Sequence, residues 1–400
     1  MLIYIICIPV FLIIISLIVT FHELGHYSVA RLFGTRIERF SVGFGKILLR
    51  RKDRRGTEWC ISALPLGGYV KFAGDENVTS MMPSAEELEA SREAITRREG
   101  AAAVGEYFHF KPLWQRFLIV LAGPVFNFIL AIAIFFVLTA ALGQVTSRPT
   151  VQVVTAGSPA EAAGLKPRDV ILAVEGKAMN TGADVVRAIA LRAETPTRIT
   201  VQRADTTLVL TVTPRRDYLH ANGKQLNVKG GVTGVAISET PVARRVSLGQ
   251  AAVLSVAQTW DVLDTNLTYI GRIFVGKENG DQIGGIVGMT KATGDMTTEI
   301  VALKQPWHIT LANLLINGVN MMAVISIAVG FLNLLPIPML DGGHLAFYLW
   351  QGVTRKPVSP EIQNAAFRIA VVLVLGLMTF ALWNDLNNTG LVKFLGGLFS

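Results

Sequence analysis

The sequence predicts a polytopic α-helical membrane protein with four transmembrane helices, a β-hairpin and one α+β domain outside the bilayer. Three observations predict it. The 400 residues are 51% hydrophobic and only 16% charged, a composition that points to the bilayer. Uncharged runs long enough to cross it occupy 2–21, 117–142 and 309–340, and a shorter run of sixteen residues separates Arg368 from Asp385. Between 150 and 237 the pattern changes to short alternating strands with helical signals between them.

Taken in order, residues 1–35 form the first span. It lacks a basic n-region and ends in HELGH rather than a small-residue cleavage site, so it is expected to be retained and not cleaved as a signal peptide. Within 36–76, residues 36–52 are basic and punctuated by glycine. Residues 57–72 read as two short strands around Pro65 and Gly67-Gly68, so a hairpin turning there is expected. The segment 77–112 is charged, carries a helix near 85–98 and is read as cytoplasmic. The second span, 113–145, has Gly123-Pro124 and Asn127 early in its course, where glycine permits close helix approach and asparagine can hydrogen-bond across a helix pair.

In 150–237, strands are expected at 151–154, 170–174, 198–203 and 207–213. A brief helix at 158–165 stops at Gly164, and a second at 183–193 presents Val185, Val186 and Ile189 on one face. The mixture resembles one PDZ domain of the permuted bacterial type. Residues 245–300 follow as an amphipathic and linker region. Its stretch 247–275 is interrupted by Asp261 and Asp264, too polar to span, and is expected on the outer surface. The third and fourth spans are 309–345 and 362–386.

Charge sets the topology. Lys and Arg near the span ends number eleven at 31–50, 97–116 and 341–360, against four on the opposite flanks (Arg148, Lys291, Lys304 and Lys393). The positive-inside rule then puts the first group in the cytoplasm, with the N-terminus and the 150–237 domain outside. These clusters explain the net charge of +8. No aromatics interleave with bases as in a nucleic-acid groove, so a nucleic-acid partner is excluded and lipid is the expected surround. Cys7 and Cys60 are the two cysteines, so no disulfide framework is available and the pool of metal ligands is His, Asp and Glu.

His22, Glu23 and His26 form an intact HExxH at the end of the first uncharged run. Histidines four apart lie on one helix face, so both imidazoles can reach one tetrahedral ion while Glu23 points at its open position. Ionisable groups cost roughly 2.5 to 3.5 kcal/mol apiece at membrane depth and mark function there. At the far end of the third span the chain reads NLLPIPMLDGGH, 333–344. Helix breakers at that depth are tolerated where the chain lines a site. The ends of spans one and three fall on the same side of the membrane, so Asp341 can join the two histidines as third ligand, with His344 the competing candidate. Asn333 offers an amide either to a developing oxyanion or to the backbone groups freed by Pro336 and Pro338.

HELGH at 22–26, GPVFN at 123–127, the PDZ-like stretch and NLLPIPMLDGGH together resemble the site-2 protease class of intramembrane zinc metalloproteases, in particular its bacterial PDZ-containing members that act on anti-sigma factors. The resemblance covers nearly the whole chain. It implies Zn2+ on His22, His26 and Asp341, Glu23 as catalytic acid/base and Asn333 as transition-state stabiliser. It makes 36–76 a membrane-reentrant β-loop whose edge, around Gly67, Gly68 and Tyr69, binds the substrate strand, with Asn127 beside it. It implies a bacterial inner membrane location, a periplasmic PDZ-like domain and an active site near the cytoplasmic side. The implied substrates are transmembrane helices of single-span proteins of the anti-sigma type, after a prior site-1 cut, and remnant signal peptides. A glycine-proline motif that relatives carry near 283–291 has no proline here, and one PDZ-like copy stands where some relatives have two. Two other readings compete: a non-hydrolytic membrane adaptor with a structural zinc, which would not need Glu23, and a metal transporter, for which one localised site gives little pathway.

Overall fold

The computed structural model describes residues 2–74, 85–221, 224–240, 242–276 and 286–389. The chain divides into two compact units, 1–135 with 285–383, and 136–284 with 384–400. Among the described residues, four helices are long and apolar enough to cross a membrane: Ile8–Leu32, Leu113–Leu142, Trp307–Asn333 and Pro360–Trp383. The fold is therefore that of a polytopic α-helical membrane protein carrying β structure.

The first unit opens with helix α1, Leu2–Leu32. Phe11, Ile14 and Ile18 are buried along one face, while Ile8, Val10, Ile13 and Leu17 are exposed on the other. An apolar exposed face is what a lipid-facing helix requires, because the chain satisfies its own backbone and leaves only hydrocarbon to lipid. Strands β1, Ile37–Lys52, and β2, Glu58–Phe72, follow. The turn joining them is at 53–57, not at Pro65 as expected from the sequence. The Asp53 carboxylate accepts the amides of Arg55 and Thr57 at 2.8 and 2.9 Å, an Asx-type closure. Gly68 serves close backbone approach instead, and Gly67 a left-handed bend. Residues 39–42 pair both with 58–61 and with 68–71, and 47–52 pair with 58–62, so each long strand bends once and the ribbon becomes a small four-segment sheet. A Cβ on Gly68 would lie 2.5 Å from the Ser41 carbonyl oxygen, and Gly67 has φ +133°. The outermost segment, 68–72, packs against α1.

Helix α2, Ala85–Glu99, and two 3-10 turns lead to α3, Leu113–Leu142. After the second unit the chain re-enters the first with α7, α8 and the rest; α7, Ile286–Ala302, packs on α1 and on α8, Trp307–Asn333. It belongs to the helical unit rather than to an outer linker. Its side chains before Thr293 and the start of the 283–291 stretch lie outside the described residues. Helices α9, Asp341–Thr354, and α10, Pro360–Thr389, complete the unit. Ala30, Ile37, Phe108, Ile119, Val120, Leu345 and Tyr348 form its core under the site.

The second unit holds a six-stranded sheet in the order β11-β4-β5-β7-β8 with β6 on β5: Val235–Ser238, Thr150–Val154, Val170–Val174, Thr197–Arg203 and Thr206–Val212, with Lys177–Ala178 beside the third. Val151, Ile171, Val174, Val185, Ile199, Val201 and Val212 fill its core. Helix α4, Pro159–Ala162, is capped by Ser158, and α5, Gly182–Ala190, by a Thr181–Asp184 capping box. A hairpin of β9, Arg215–Ala221, and β10, Lys224–Val232, was not expected from the strand pattern. Short strands β3, Gln144–Thr146, and β12, Val242–Arg244, pair at the entry and exit of the unit. Helix α6, Leu248–Phe274, is fixed to the sheet by Lys177–Asp261 at 2.7 Å and to the turn after α5 by Arg272 on the Ala193 carbonyl at 2.9 Å.

Candidate active site

The site is built where α1, α3 and the start of α9 meet β2. His22 and His26 lie a turn apart near the end of α1. Close approach of α3 is permitted by glycine on both helices: a Cβ on Gly25 would overlap the Ala122 carbonyl, and one on Gly123 would lie 2.5 Å from His26 Cε1 and 2.8 Å from His22 Cε1. Gly123 is therefore the floor on which both imidazoles rest. One residue further, Pro124 cannot donate to the Val120 carbonyl, which leaves the helix ladder one bond short. The neighbouring Ile119 carbonyl lies 2.8 Å from His26 Nδ1. Asn127 Nδ2 is 3.2 Å from His22 Nδ1.

Asp341 arrives by a different route. Helix α8 ends at Asn333, the prolines break the chain, and α9 restarts at Asp341. The restart is tight: a Cβ on Gly342 would overlap the carbonyls of Leu334 and Leu335, and one on Gly343 would sit 2.5 Å from the Ile337 carbonyl oxygen. The two glycines of LDGG thus let α9 butt against the preceding loop and aim Asp341 at α1. Asp341 Oδ2 lies 3.0 Å from His22 Nε2 and 3.5 Å from His26 Nε2, and the two Nε2 atoms are 3.1 Å apart.

These donors fit a metal. A carbonyl oxygen only accepts, so His26 Nδ1 carries the ring proton and its Nε2 presents a lone pair. That lone pair converges with His22 Nε2 and with Asp341 Oδ2, a buried oxygen with no hydrogen-bond partner. With His22 in the tautomer that leaves Nε2 unprotonated, these are three converging acceptors in a buried site and need a cation between them. Four-coordinate zinc with bonds of about 2.0–2.1 Å has ligand–ligand edges of roughly 3.3–3.4 Å, and the three separations bracket that value. Among the described residues, this is the one group of three or more His, Cys, Asp and Glu side chains that could share an ion.

Glu23 lies between the two histidines in sequence and accepts the Val70 amide at 3.1 Å. A cavity of about 260 Å³ opens here, lined by His22, His26, Asp341, Glu23, Tyr69, Val70 and Phe72 of β2, and His109, His344 and Tyr348. Burial, together with the charge of Arg116 and the nearby His344, pushes His109 down to about 4, so it lines the cavity neutral at physiological pH. Of the residues singled out from sequence, His22, Glu23, His26, Asp341 and Tyr69 share this cavity, as does His344. Asn333 is half-buried at the end of α8 and does not line it. Gly67 and Gly68 sit at the bend of β2, outside the lining. Asn127 is fully buried, with its side-chain amide on His22. The Ile119 carbonyl, the Val70 amide, Gly123 and His109 were not singled out as site groups; the glycine-proline pair at 123–124 was the available signal for the first and third.

A family model described as Peptidase family M50 matches residues 10–377. The chain belongs to peptidase family M50. Metalloprotease MmpA of Caulobacter vibrioides is 44% identical over 389 residues, covering 97% of both chains. A protein of Agrobacterium fabrum named "Putative zinc metalloprotease Atu1380" is 38% identical over 382 residues, covering 94% of this chain and 95% of its own. One of Mesorhizobium japonicum is 38% identical over 380 residues, with 94% and 97% covered. This M50 peptidase is thus a zinc metallopeptidase of the site-2 protease family, a multi-pass integral membrane protein whose general activity is proteolysis within the membrane.

Proposed function

We propose that this M50 peptidase cuts peptide bonds within transmembrane segments of single-span proteins, with zinc held by His22, His26 and Asp341 and Glu23 as the acid/base. The observation that carries the reading is the convergence of His22 Nε2, His26 Nε2 and Asp341 Oδ2 beside a carboxylate anchored on a strand amide. Zinc, when bound, makes water acidic enough to ionise near neutral pH and polarises a carbonyl. Glu23 takes a proton from the attacking water and delivers it to the leaving amide nitrogen. A helical substrate hides its carbonyls in its own ladder, so it must unwind first. The outermost segment of the four-part sheet, 68–72, borders the cavity, and strand addition there would hold the unwound segment beside Glu23. Asn333 is read as acting on the substrate carbonyl once a substrate has entered.

The 150–237 unit is read as a PDZ-like domain. In support, its terminal strand β11 and helix α5 border a groove of about 410 Å³ lined by Val185, Val186, Ile189, Val235 and Ile237. It faces the periplasm of a bacterial inner membrane on the eleven-to-four charge bias, and acts as a size filter that admits a substrate only after another protease has trimmed its outer domain. Anti-sigma factors and remnant signal peptides are the substrate classes proposed. Helix α6 is proposed to lie along the outer surface.

The test is cleavage of a detergent-reconstituted single-span reporter by wild type and E23Q, with zinc measured on both. Cutting by wild type alone, with about one zinc in each sample, is expected. Equal cutting by E23Q would remove Glu23 from the mechanism, and no cutting by fully loaded wild type across a varied panel would favour the adaptor. Deleting 150–237 should allow untrimmed substrate to be cut; continued dependence on trimming would count against the filter.

A further inference from the structure

The two histidines are held differently on their outer nitrogens. His26 faces a carbonyl, which can only accept, so its tautomer is set by the backbone. His22 faces the side-chain amide of Asn127, which can present either a donor or an acceptor. The choice decides what Nε2 can do. With the NH2 group toward Nδ1, the ring proton belongs on Nε2 and points at His26 and Asp341. With Oδ1 toward Nδ1, the proton is on Nδ1 and the Nε2 lone pair is open to an ion. In the orientation present here Nδ2 faces the ring, and Oδ1 is buried without a hydrogen-bond partner. A half-turn of the amide exchanges the two groups with hardly any change of shape.

We propose that Asn127 is a positioning residue for metal capture: in the loaded site its Oδ1 accepts the Nδ1–H of His22 and so fixes the tautomer and ring plane that aim Nε2 at the ion. The proposal rests on the reading of His22 as a ligand. The surroundings of Asn127 hold it for this one contact. Ser326 of α8 donates to the Asn127 backbone carbonyl at 2.8 Å, and both residues are fully buried. A Cβ on Gly330 would lie 3.0 Å from Asn127 Cβ and 3.1 Å from the Pro124 carbonyl oxygen, so α8 presses directly on this point of α3. Three helices therefore converge on an amide whose side chain meets one imidazole. A ligand histidine is ordinarily oriented by a partner on its second nitrogen, and loss of that partner weakens metal binding about 10- to 100-fold.

The experiment is a zinc competition titration against a chelator on the detergent-purified full chain, comparing wild type, N127L, N127D and H22A. Leucine keeps the branched heavy-atom skeleton of asparagine, though with bulkier methyl groups, and accepts nothing, so N127L should bind zinc about 10- to 100-fold more weakly. N127D offers only acceptor oxygens and should stay within about tenfold of wild type, which a packing role would not predict. Wild-type affinity in N127L overturns the proposal, as does an equal loss in N127L and N127D. Should N127L fail to fold, N127D against wild type decides: a loss of more than about 100-fold overturns it, since an acceptor is all the role requires. H22A separates the two readings. Unchanged affinity in H22A would sink His22 as a ligand, whereas a large loss there together with an unaffected N127L would sink the role of Asn127 alone.

Discussion

Replacing Gly123 by alanine adds a single methyl group to a transmembrane helix, where alanine is otherwise the most benign residue. The structure predicts severe loss of metal. The new Cβ would sit 2.5 Å from His26 Cε1 and 2.8 Å from His22 Cε1, while ordinary van der Waals contact starts near 3.4 Å. The rings must retreat by about 0.9 and 0.6 Å, or α3 must back away from α1 by a similar amount. Neither is easy, because His26 is tied to the Ile119 carbonyl on the same helix and Gly25 already meets the Ala122 carbonyl. A misplacement near 1 Å in a preorganised site costs about 100-fold, so the zinc dissociation constant should rise about 100-fold, or about 2.7 kcal/mol. Overpacking should add a stability loss of about 1–3 kcal/mol. The assay is chelator competition on G123A and wild type, with reporter cleavage and thermal unfolding run in parallel. If G123A holds zinc at wild-type affinity and cuts at the wild-type rate, the imidazoles do not rest on Gly123 and the close α1–α3 seam is wrong.

Three further outcomes are expected. G342A should abolish cleavage and lower zinc affinity at least about tenfold, because the restart of α9 leaves no room for a methyl group and Asp341 must move; competition titration reads it. Substrate spans that differ only in Gly or Pro content should be cut faster as helix breakers are added, and equal rates across such a panel would remove the unwinding step. In the β domain, burial works to raise the Asp169 carboxyl, but the bidentate Arg203 pair at 2.8 Å and the Lys166 amide hold it below the usual carboxylate range. A folded pKa below the unfolded one contributes stability that is present above about pH 4 and lost as pH falls toward the folded value. Protection against amide exchange in β4, β5 and β7, relative to the intrinsic rate at each pH, should therefore fall below about pH 4 in wild type. D169N should already show it at pH 7, with a loss of about 1.5–3 kcal/mol, and an unchanged exchange profile would show that the pair contributes nothing.

What could be read from the sequence was whatever depends on spacing within one element. His22 and His26 share a helix face by periodicity, and Asp341 follows from parity of the spans and from the lack of thiolates in a position to help. What could not be read depends on which backbone meets which. The glycines at 43 and 68 look like turn residues, yet in a ribbon that folds back on itself they let strands touch, and the actual turn is closed by one carboxylate, Asp53. The β9–β10 hairpin did carry a signal, Asn222-Gly223 between its strands, but the charged residues around it masked the alternation. Asn127 and His22 are 105 positions apart, and nothing in either helix alone indicates that the amide ends on the imidazole. The Val70 amide on Glu23 is hidden for the same reason. The GPVFN segment shows what this costs a reader of sequence: as an isolated motif it reads as helix packing, whereas in the folded chain its glycine seats two rings, its proline frees the ladder beside a carbonyl that orients one of them, and its asparagine meets the other. This stretch of the second span thus holds both imidazoles of the first, and the packing of α3 and the chemistry of α1 cannot be varied independently.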